Sequence, residues 1–287
     1  MSTSRSLRAA ATLPVGINWR SWQNRRVARW RSFVAVGDSF TEGLDDPAPD
    51  GSGYRGWADL VAQRLAAEMR GSEGEPFRYA NLAVRGRLFN RIVDEQVPPA
   101  LRMAPDLVSF AGGGNDVLRR NFDPAALVAR FHNVVRTLRA TGADVIIFRW
   151  ADVTGRLPGR RVILPRMRIL NEAVGEAAAQ TGAILVDLWH DTEFANPALW
   201  SVDRLHLAPA GHRRVAAHVL TALGLEPEPS WLETPPRPQT SWLAARASDA
   251  VWVHHHLAPW VKRRLTGRSS GDTVTPKRPE LAPLLDR

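Results

Sequence analysis

The sequence predicts an α/β fold in which a parallel sheet is covered by helices on both faces. Short runs rich in Val, Ile, Leu and Phe alternate with longer helical patterns from residue 32 to residue 223. The runs show little alternation of polar and apolar residues, which indicates strands that are buried on both sides. The 287 residues are enough for one such domain of about 200 residues with extensions.

Five strands and five helices alternate in this region. The predicted strands span residues 32–37, 77–83, 106–112, 143–150 and 183–188. The predicted helices span residues 56–69, 88–97, 123–140, 165–180 and 208–223. Asp123 followed by Pro124 is typical of a helix start, and Gly142 and Gly182 stand where helices are expected to end.

Charge and composition divide the chain into a basic N-terminal arm at 1–31, a core at 32–225 and a C-terminal extension at 226–287. The arm contains seven arginines and no acidic residue, whereas the extension has nine basic and seven acidic residues. Because the whole chain has a net charge of +9, the core is neutral. A nucleic-acid-binding domain normally carries basic residues on its folded face, so we expect no nucleic-acid partner.

The extension has a composition of its own and contains nine of the 21 prolines. Residues 241–267 space Trp242, Trp252 and Trp260 among basic residues, which is typical of an amphipathic helix. Residues 267–280 have the composition of a disordered segment. We therefore expect the extension to be partly disordered, with a peripheral membrane surface or a protein as its candidate partner.

The composition also bears on the cellular compartment. The chain contains no cysteine, which excludes disulfides and thiolate metal sites and fits a reducing compartment. No apolar run approaches the roughly 18 residues that would span a bilayer, and no secretory signal is recognisable. We expect a cytoplasmic protein.

Neither a metal nor a cofactor is predicted. Residues 254–256 are three consecutive histidines, but consecutive helix positions point about 100° apart, so one ion cannot easily bind all three. His190, His212 and His218 are expected at the surface or in helix caps, and His132 is expected to flank a helix face.

The first predicted strand runs directly into Gly37, Asp38 and Ser39. This serine is therefore expected at the carboxyl edge of the sheet, where open α/β folds bind their ligands. Its backbone N–H would stand at the start of a helix, where it can face an anionic oxygen. A turn with a helix cap is the alternative interpretation. The Gly-x-Ser-x-Gly pattern of another hydrolase fold is absent, since Thr41 takes its last place.

A second cluster, Asp203 to His206, precedes the last predicted helix. A serine hydroxyl is a poor nucleophile until an imidazole takes its proton, and the imidazole needs an acceptor that fixes its tautomer and stabilises its cation. The three-residue separation lets one loop present both groups. The alternative is a solvated Asp and a His that makes only local hydrogen bonds.

Two further loops, at 81–86 and 112–116, leave strand ends with glycine and amide groups. Acyl transfer passes through a tetrahedral oxyanion, which preorganised donors stabilise by roughly 3–4 kcal/mol each. The candidate donors are the N–H of Ser39, the N–H of Gly86 and the side-chain amide of Asn115.

The glycines at 112–114 also have an alternative interpretation, a flexible turn or a phosphate-binding nest. The Lys-Ser/Thr pair of a P-loop is missing, which argues against the nest. Asp38 and Asp116 are expected to support their loops by hydrogen bonds to backbone N–H groups.

The loops together resemble the SGNH (GDSL-type) family of serine esterases and lipases, which is named for its Ser, Gly, Asn and His. The matching stretches are VGDSFTEG (36–43), NLAVRG (81–86), GGGND (112–116) and DRLHLAPAGH (203–212). The resemblance covers about residues 32–224 and implies a flavodoxin-like three-layer α/β/α sandwich, with a five-stranded parallel sheet in the order 2-1-3-4-5. Phe40 replaces the Leu of the GDSL motif, a change beside the nucleophile.

The resemblance implies a role for each matched residue. Ser39 would be the nucleophile, His206 the base and Asp203 its orienting partner, with Gly86 and Asn115 completing an oxyanion hole. The implied activity is hydrolysis of a carboxylic ester of a small molecule, lipid or glycan through an acyl-enzyme, without a cofactor. Acyl transfer or thioester cleavage on the same fold stays open, as does a non-catalytic module that binds a partner or a membrane.

Overall fold

A computed structural model describes most of the chain: residues 30–69, 75–237, 251–259 and 269–284, together with Asp249 and Thr266. Of the basic arm, residues 1–29 lie outside the described residues, and so do Trp242 and Trp260 of the extension. The boundaries of the arm, core and extension stay predictions.

The described residues form one six-stranded sheet with the order β6-β2-β1-β3-β4-β5. Its strands are β1 (Ser32–Val36), β2 (Arg78–Asn81), β3 (Leu107–Phe110), β4 (Asp144–Arg149), β5 (Ile184–Asp187) and β6 (Arg278–Pro283). The first five pair in parallel in the order 2-1-3-4-5, which confirms the predicted α/β class and strand order. The sixth strand was not predicted.

Six helices connect and cover these strands in the described part of the chain. They are α1 (Ser39–Glu42), α2 (Gly56–Glu68), α3 (Phe89–Met103), α4 (Pro124–Arg139), α5 (Arg160–Thr181) and α6 (Pro209–Leu223). Asp123 caps α4 by accepting a hydrogen bond from the N–H of Ala126 at 3.0 Å, and α5 ends at Gly182, whose φ is +67°.

The sheet separates two apolar cores. Phe33 and Ala35 of β1 face α2 and α6 on one side. The alternate residues Val34 and Val36 face α3, α4 and α5 on the other. Helix α3 runs six residues past its predicted end because its apolar face, including Ala100, stays buried beyond two internal prolines.

The expectation that residues 267–280 are disordered is wrong for the part that the structure describes. Strand β6 pairs antiparallel with β2, so it supplies partners to a backbone edge that would otherwise be open. The Nζ of Lys277 donates to the carbonyl oxygens of Glu42 and Arg55 and to the carboxylate of Asp59. These contacts are tertiary, and therefore composition alone did not indicate them.

A search of the described helices for a membrane span found none that is long and apolar enough. Membrane or protein contact through the extension stays a prediction.

Candidate active site

Ser39 lies at the carboxyl end of β1, where it begins the short helix α1. The Asp38 carboxylate accepts a hydrogen bond from the N–H of Phe40 at 3.1 Å and caps this helix. A Cβ atom at Gly37 would lie 2.9 Å from the carbonyl oxygen of Ala111, so glycine is needed where the chain turns towards Ser39.

Gln96 of α3 fixes the same turn by two hydrogen bonds to the backbone of Gly37. This side chain is buried, and its amide accepts from the N–H of Gly37 and donates to the carbonyl of Gly37, both at 2.9 Å. The two bonds satisfy both backbone groups of the residue at the end of the strand. Gln96 was not singled out from the sequence, although a polar residue on the apolar face of a helix was a signal for it.

The structure brings Ser39, His206 and Asp203 together from opposite ends of the core. The Ser39 Oγ lies 2.9 Å from Nε2 of His206, and Nδ1 of His206 is hydrogen-bonded to the Asp203 carboxylate. The other oxygen of Asp203 accepts from the backbone N–H groups of Leu205 and His206, both at 2.9 Å. The Asp203 carboxylate is therefore fixed by its own loop and points at the imidazole.

Asp203 and His206 shift each other's pKa in opposite directions. Burial raises the pKa of Asp203, but the hydrogen bond and charge of His206 outweigh burial and lower it to about 2. Burial lowers the pKa of His206, and the hydrogen bond and charge of Asp203 outweigh it, so the pKa lies above its ordinary value of 6.5. Asp203 is therefore ionised at neutral pH and favours a proton on His206.

The candidate oxyanion donors line one cleft beside Ser39. Within the described residues, no group accepts the backbone N–H of Ser39 or of Gly86. The amide of Asn115 donates to the Asp38 carboxylate at 3.0 Å and to the carbonyl of Arg87 at 3.2 Å. Two residues that line the cleft thus have an N–H without an acceptor in the described part of the chain, and Asn115 would have to exchange one of its bonds to become a third donor.

The loop of Gly86 is tied to the helix of Ser39 by a buried ion pair. The Arg85 guanidinium contacts the Glu42 carboxylate, which also accepts the N–H of Arg85 at 2.7 Å. Glu42 is 4% exposed, so its charge needs this partner. The pair fixes the distance between two of the loops that carry candidate site residues.

The two predicted supporting carboxylates accept backbone N–H groups. Asp38 bonds Phe40 as described, and Asp116 accepts the N–H of Phe89 at 2.9 Å, at the start of α3. Burial raises the pKa of Asp38 to about 6, against the opposing effects of the Phe40 N–H and the charge of His206. Burial likewise raises the pKa of Asp116.

Asp45 joins the site without having been predicted. Ligand atoms of Asp45, Asp203 and His206 all lie within 4.8 Å of one another, a grouping that could hold a cation. Metal binding there would compete with the bonds that His206 makes to Asp203 and Ser39. The expectation that no metal is used stays a prediction, and the charge of Asp45 contributes to the raised pKa of His206.

His212, expected at the surface or in a cap, is buried under the site. Its Nε2 donates to the carbonyl of Leu44 at 3.1 Å, and its Nδ1 accepts from the N–H of Trp57. Burial lowers its pKa to about 4, so this ring is neutral at physiological pH and joins α6 to the loop after α1. The surface expectation is wrong because both ring nitrogens find backbone partners.

Two spaces meet at Ser39. The inner one is an apolar pocket of about 90 Å³, lined among others by Phe40, Trp150, Val153, Met167, Leu188 and Trp200. The outer one is a cleft of about 420 Å³. One wall of the outer cleft comes from the C-terminal extension, with Trp252, His255 and Ser270. None of these extension residues was predicted as part of the site.

The fold and the residues gathered at Ser39 are those of a hydrolase. A family model described as GDSL-like lipase/acylhydrolase matches residues 35–214, which is more than half of the chain. The protein belongs to this family.

One curated protein matches part of the chain. Bacillus subtilis (strain 168) has an uncharacterized protein, YpmR, that is 38% identical over 97 residues, which are 31% of this chain and 34% of YpmR. The chain therefore matches about a third of the length of that relative.

Two solved structures illustrate the similarity in fold. LAE5, an α/β hydrolase from the metagenome of Lake Arreo in Spain, is similar with a TM-score of 0.56 and 22% identity, covering 67% of this chain and 94% of LAE5. A variant of Axe2, an acetyl xylan esterase from Geobacillus stearothermophilus, has a TM-score of 0.54 and 21% identity, covering 68% and 95%. At these identities the two structures show the fold alone.

Proposed function

We propose that the protein hydrolyses carboxylic esters with Ser39 as nucleophile, His206 as general base and Asp203 as its orienting partner. The observation that carries the proposal is the 2.9 Å distance between Ser39 Oγ and His206 Nε2, with Asp203 bonded to the other ring nitrogen. This is the arrangement that activates a serine hydroxyl.

The reaction proceeds in two halves. Ser39 Oγ attacks the ester carbonyl carbon while its proton passes to Nε2 of His206, and the tetrahedral oxyanion is stabilised by the N–H groups of Ser39 and Gly86. Asn115 adds a third donor when its bond to the Arg87 carbonyl gives way to the stronger, anionic acceptor. The imidazolium then protonates the leaving alcohol, and the carbon–oxygen bond to that alcohol breaks.

The second half regenerates the enzyme. A water molecule gives its proton to His206 and attacks the acyl-enzyme carbonyl, and the same donors stabilise the second tetrahedral intermediate. The intermediate collapses as the imidazolium returns the proton to Ser39 Oγ, and the carboxylic acid is released. No step needs a metal or a cofactor.

The inner pocket fits the acyl group. Its lining is mostly apolar and borders Ser39, so a hydrocarbon chain gains more there than a polar alcohol. The volume of about 90 Å³ is smaller than the roughly 150 Å³ cavity that is known to hold benzene. We therefore infer a short acyl group of up to about four carbons.

The proposal predicts hydrolysis of p-nitrophenyl acetate with a kcat/KM that rises with pH. His206 must be neutral to act as base, so the rising limb reports its pKa, which lies above 6.5. Asp203→Asn removes the charge that raises this pKa, and we expect the limb to move to lower pH with about ten-thousandfold lower activity. The same change at Asp50, in an exposed loop, is the matched control. The proposal would be contradicted if no ester were hydrolysed, or if kcat/KM did not change between about pH 5 and about pH 9.

The acyl pocket predicts a dependence on chain length. We expect kcat/KM to fall from the butyrate to the octanoate ester of p-nitrophenol, because the longer chain exceeds the pocket. Trp150 closes the pocket beside Phe40, with ring centroids 5.1 Å apart, so Trp150→Ala should raise the octanoate-to-acetate ratio at least about tenfold. Trp189→Ala is the control, since Trp189 is partly buried and borders neither space. An unchanged ratio in Trp150→Ala would show that the acyl group binds elsewhere.

A further inference from the structure

The C-terminal extension crosses the entrance of the site, outside the part of the chain that matches the family. The family match ends at residue 214. The outer cleft, which Ser39 and His206 border, is also lined by six residues of the extension: Trp252, His255, His256, Leu257, Ser269 and Ser270. One side of the cleft is therefore formed by residues outside the part of the chain that matches the family.

Trp252 joins this segment to the loop of the base. Its indole N–H donates to the backbone carbonyl of Asp203 at 2.9 Å, and the side chain is 8% exposed. The guanidinium of Arg204 lies 4.9 Å from the centre of the indole ring and pairs with Asp249 at 2.8 Å. Two successive residues of the loop, Asp203 and Arg204, are thus held by the extension.

The loop needs such support because its backbone is strained. Arg204 has a φ of +66°, in the left-handed region that a residue with a side chain adopts at a cost. This conformation lets the N–H groups of Leu205 and His206 turn towards the Asp203 carboxylate. A partner that fixes the carbonyl of Asp203 therefore also fixes the direction of its carboxylate.

The same segment reaches the loop of Gly86. The Ser269 hydroxyl donates to the carbonyl of Gly86 at 3.1 Å, and a Cβ at Gly86 would lie 2.3 Å from this hydroxyl. Gly271 packs so closely on Arg85 that a Cβ there would lie 2.0 Å from the Arg85 carbonyl. Strand β6 anchors this part of the extension to the sheet, so its place over the site is set by the fold.

We propose that Trp252 is a positioning residue for catalysis, which holds Asp203 and through it His206 in the geometry that activates Ser39. The extension is then a working part of the active site. The inference rests on the proposed function, and the indole N–H of Trp252 is bonded to Asp203 and not to the nucleophile or the base.

The test is Trp252→Phe, which keeps an aromatic ring beside Arg204 and removes the N–H donor. We expect kcat for p-nitrophenyl acetate to fall by about fivefold, the effect of one neutral hydrogen bond. KM should change little, because phenylalanine keeps an aromatic wall in the outer cleft and the acyl pocket is not altered. The rising pH limb should move to lower pH, since a less well oriented Asp203 stabilises the imidazolium less.

The matched control is Trp231→Phe, the same change in the same extension at a residue that packs on the core and lines neither space. The carboxylates that face His206 are those of Asp203, Asp45 and Asp38, and neither variant alters them. Because stability varies with pH, the activity at each pH is divided by the folded fraction at that pH, and a limb that is still moved is specific to positioning. Thermal melting of each variant gives its folded fraction.

The outcomes separate the two proposals. If the unaltered protein hydrolyses no ester, the proposed function fails. If the unaltered protein and Trp231→Phe are active, and Trp252→Phe matches them in kcat and in the position of its pH limb, the proposed function stands and the role of Trp252 is overturned.

Discussion

Replacing Ser39 by Ala is expected to lower kcat for a p-nitrophenyl ester by roughly a millionfold. The hydroxyl is the atom that forms the acyl-enzyme, and no described neighbour can take its place, since Asp203 and His206 are bonded to each other. The residual rate would come from the oxyanion donors and from binding alone. Ser39→Ala removes one oxygen atom, so we expect the melting temperature to stay nearly unchanged.

The companion measurement is His206→Ala, alone and combined with Ser39→Ala. Residues that act as one unit are strongly non-additive, so each single change and the double change should cost about the same. Ser52→Ala, in an exposed loop, is the control and should keep full activity. Retained turnover in Ser39→Ala, or losses that multiply in the double variant, would mean that the two residues do not work together.

The candidate site residues that the sequence predicted are those marked by a local sequence pattern. Those that it missed mostly meet the site through tertiary contacts. Ser39 follows a buried strand directly, and Asp203 and His206 share one loop, so strand ends and spacing made them candidates, and the resemblance of four loops to one family gave them roles. Asp45 and Trp252 had no such signal, because each meets the site only through tertiary contacts. Gln96 lies on the apolar face of α3, four residues after the buried Ile92, and could have been found by that periodicity.

The strands divide in the same way into those that the sequence predicted and β6, which it did not. The central strands β1, β3 and β4 are almost wholly buried, and their continuous apolar runs were visible in the sequence. Strand β6 contains Pro279 and Pro283, and its residues are partly or fully exposed. Proline is tolerated at a sheet edge but gives no strand signal, so composition indicated disorder. What orders this segment is its pairing with β2 and the anchor at Lys277, both distant in sequence.

That anchor leads to the largest expected effect on stability. Lys277→Met should lower the free energy of unfolding by about 2 kcal/mol, since it removes the donor of a partly buried pair in which the two side chains are 21% and 16% exposed. Lys277 donates to the carbonyls of Glu42 at 2.6 Å and Tyr54 at 3.1 Å, to that of Arg55, and to the Asp59 carboxylate. Methionine fills similar space but satisfies none of these acceptors. Urea unfolding measures the difference.

The loss should depend on pH, because Lys277 is the charge that lowers the pKa of Asp59 most. Burial raises the pKa of Asp59 to about 6 from an ordinary value of 3.8, although Lys277 lowers it. The folded state therefore binds this proton more tightly than the unfolded state, and stability falls as the pH rises through that window. Without Lys277 the pKa of Asp59 rises further, so Lys277→Met should be more destabilising at about pH 8 than at about pH 5.

A second variant separates the charge from the packing. Asp59→Asn combined with Lys277→Met removes both charges, and we expect it to recover part of the stability lost at about pH 8 and to abolish the difference between the two pH values. Equal losses in the single and double variants would show that the carbonyl acceptors alone matter.

Strand β6 also fixes the segment that places Ser269 against the carbonyl of Gly86. Lys277→Met should therefore lose activity under conditions where it is still folded, which links the stability of this edge strand to the geometry of the site.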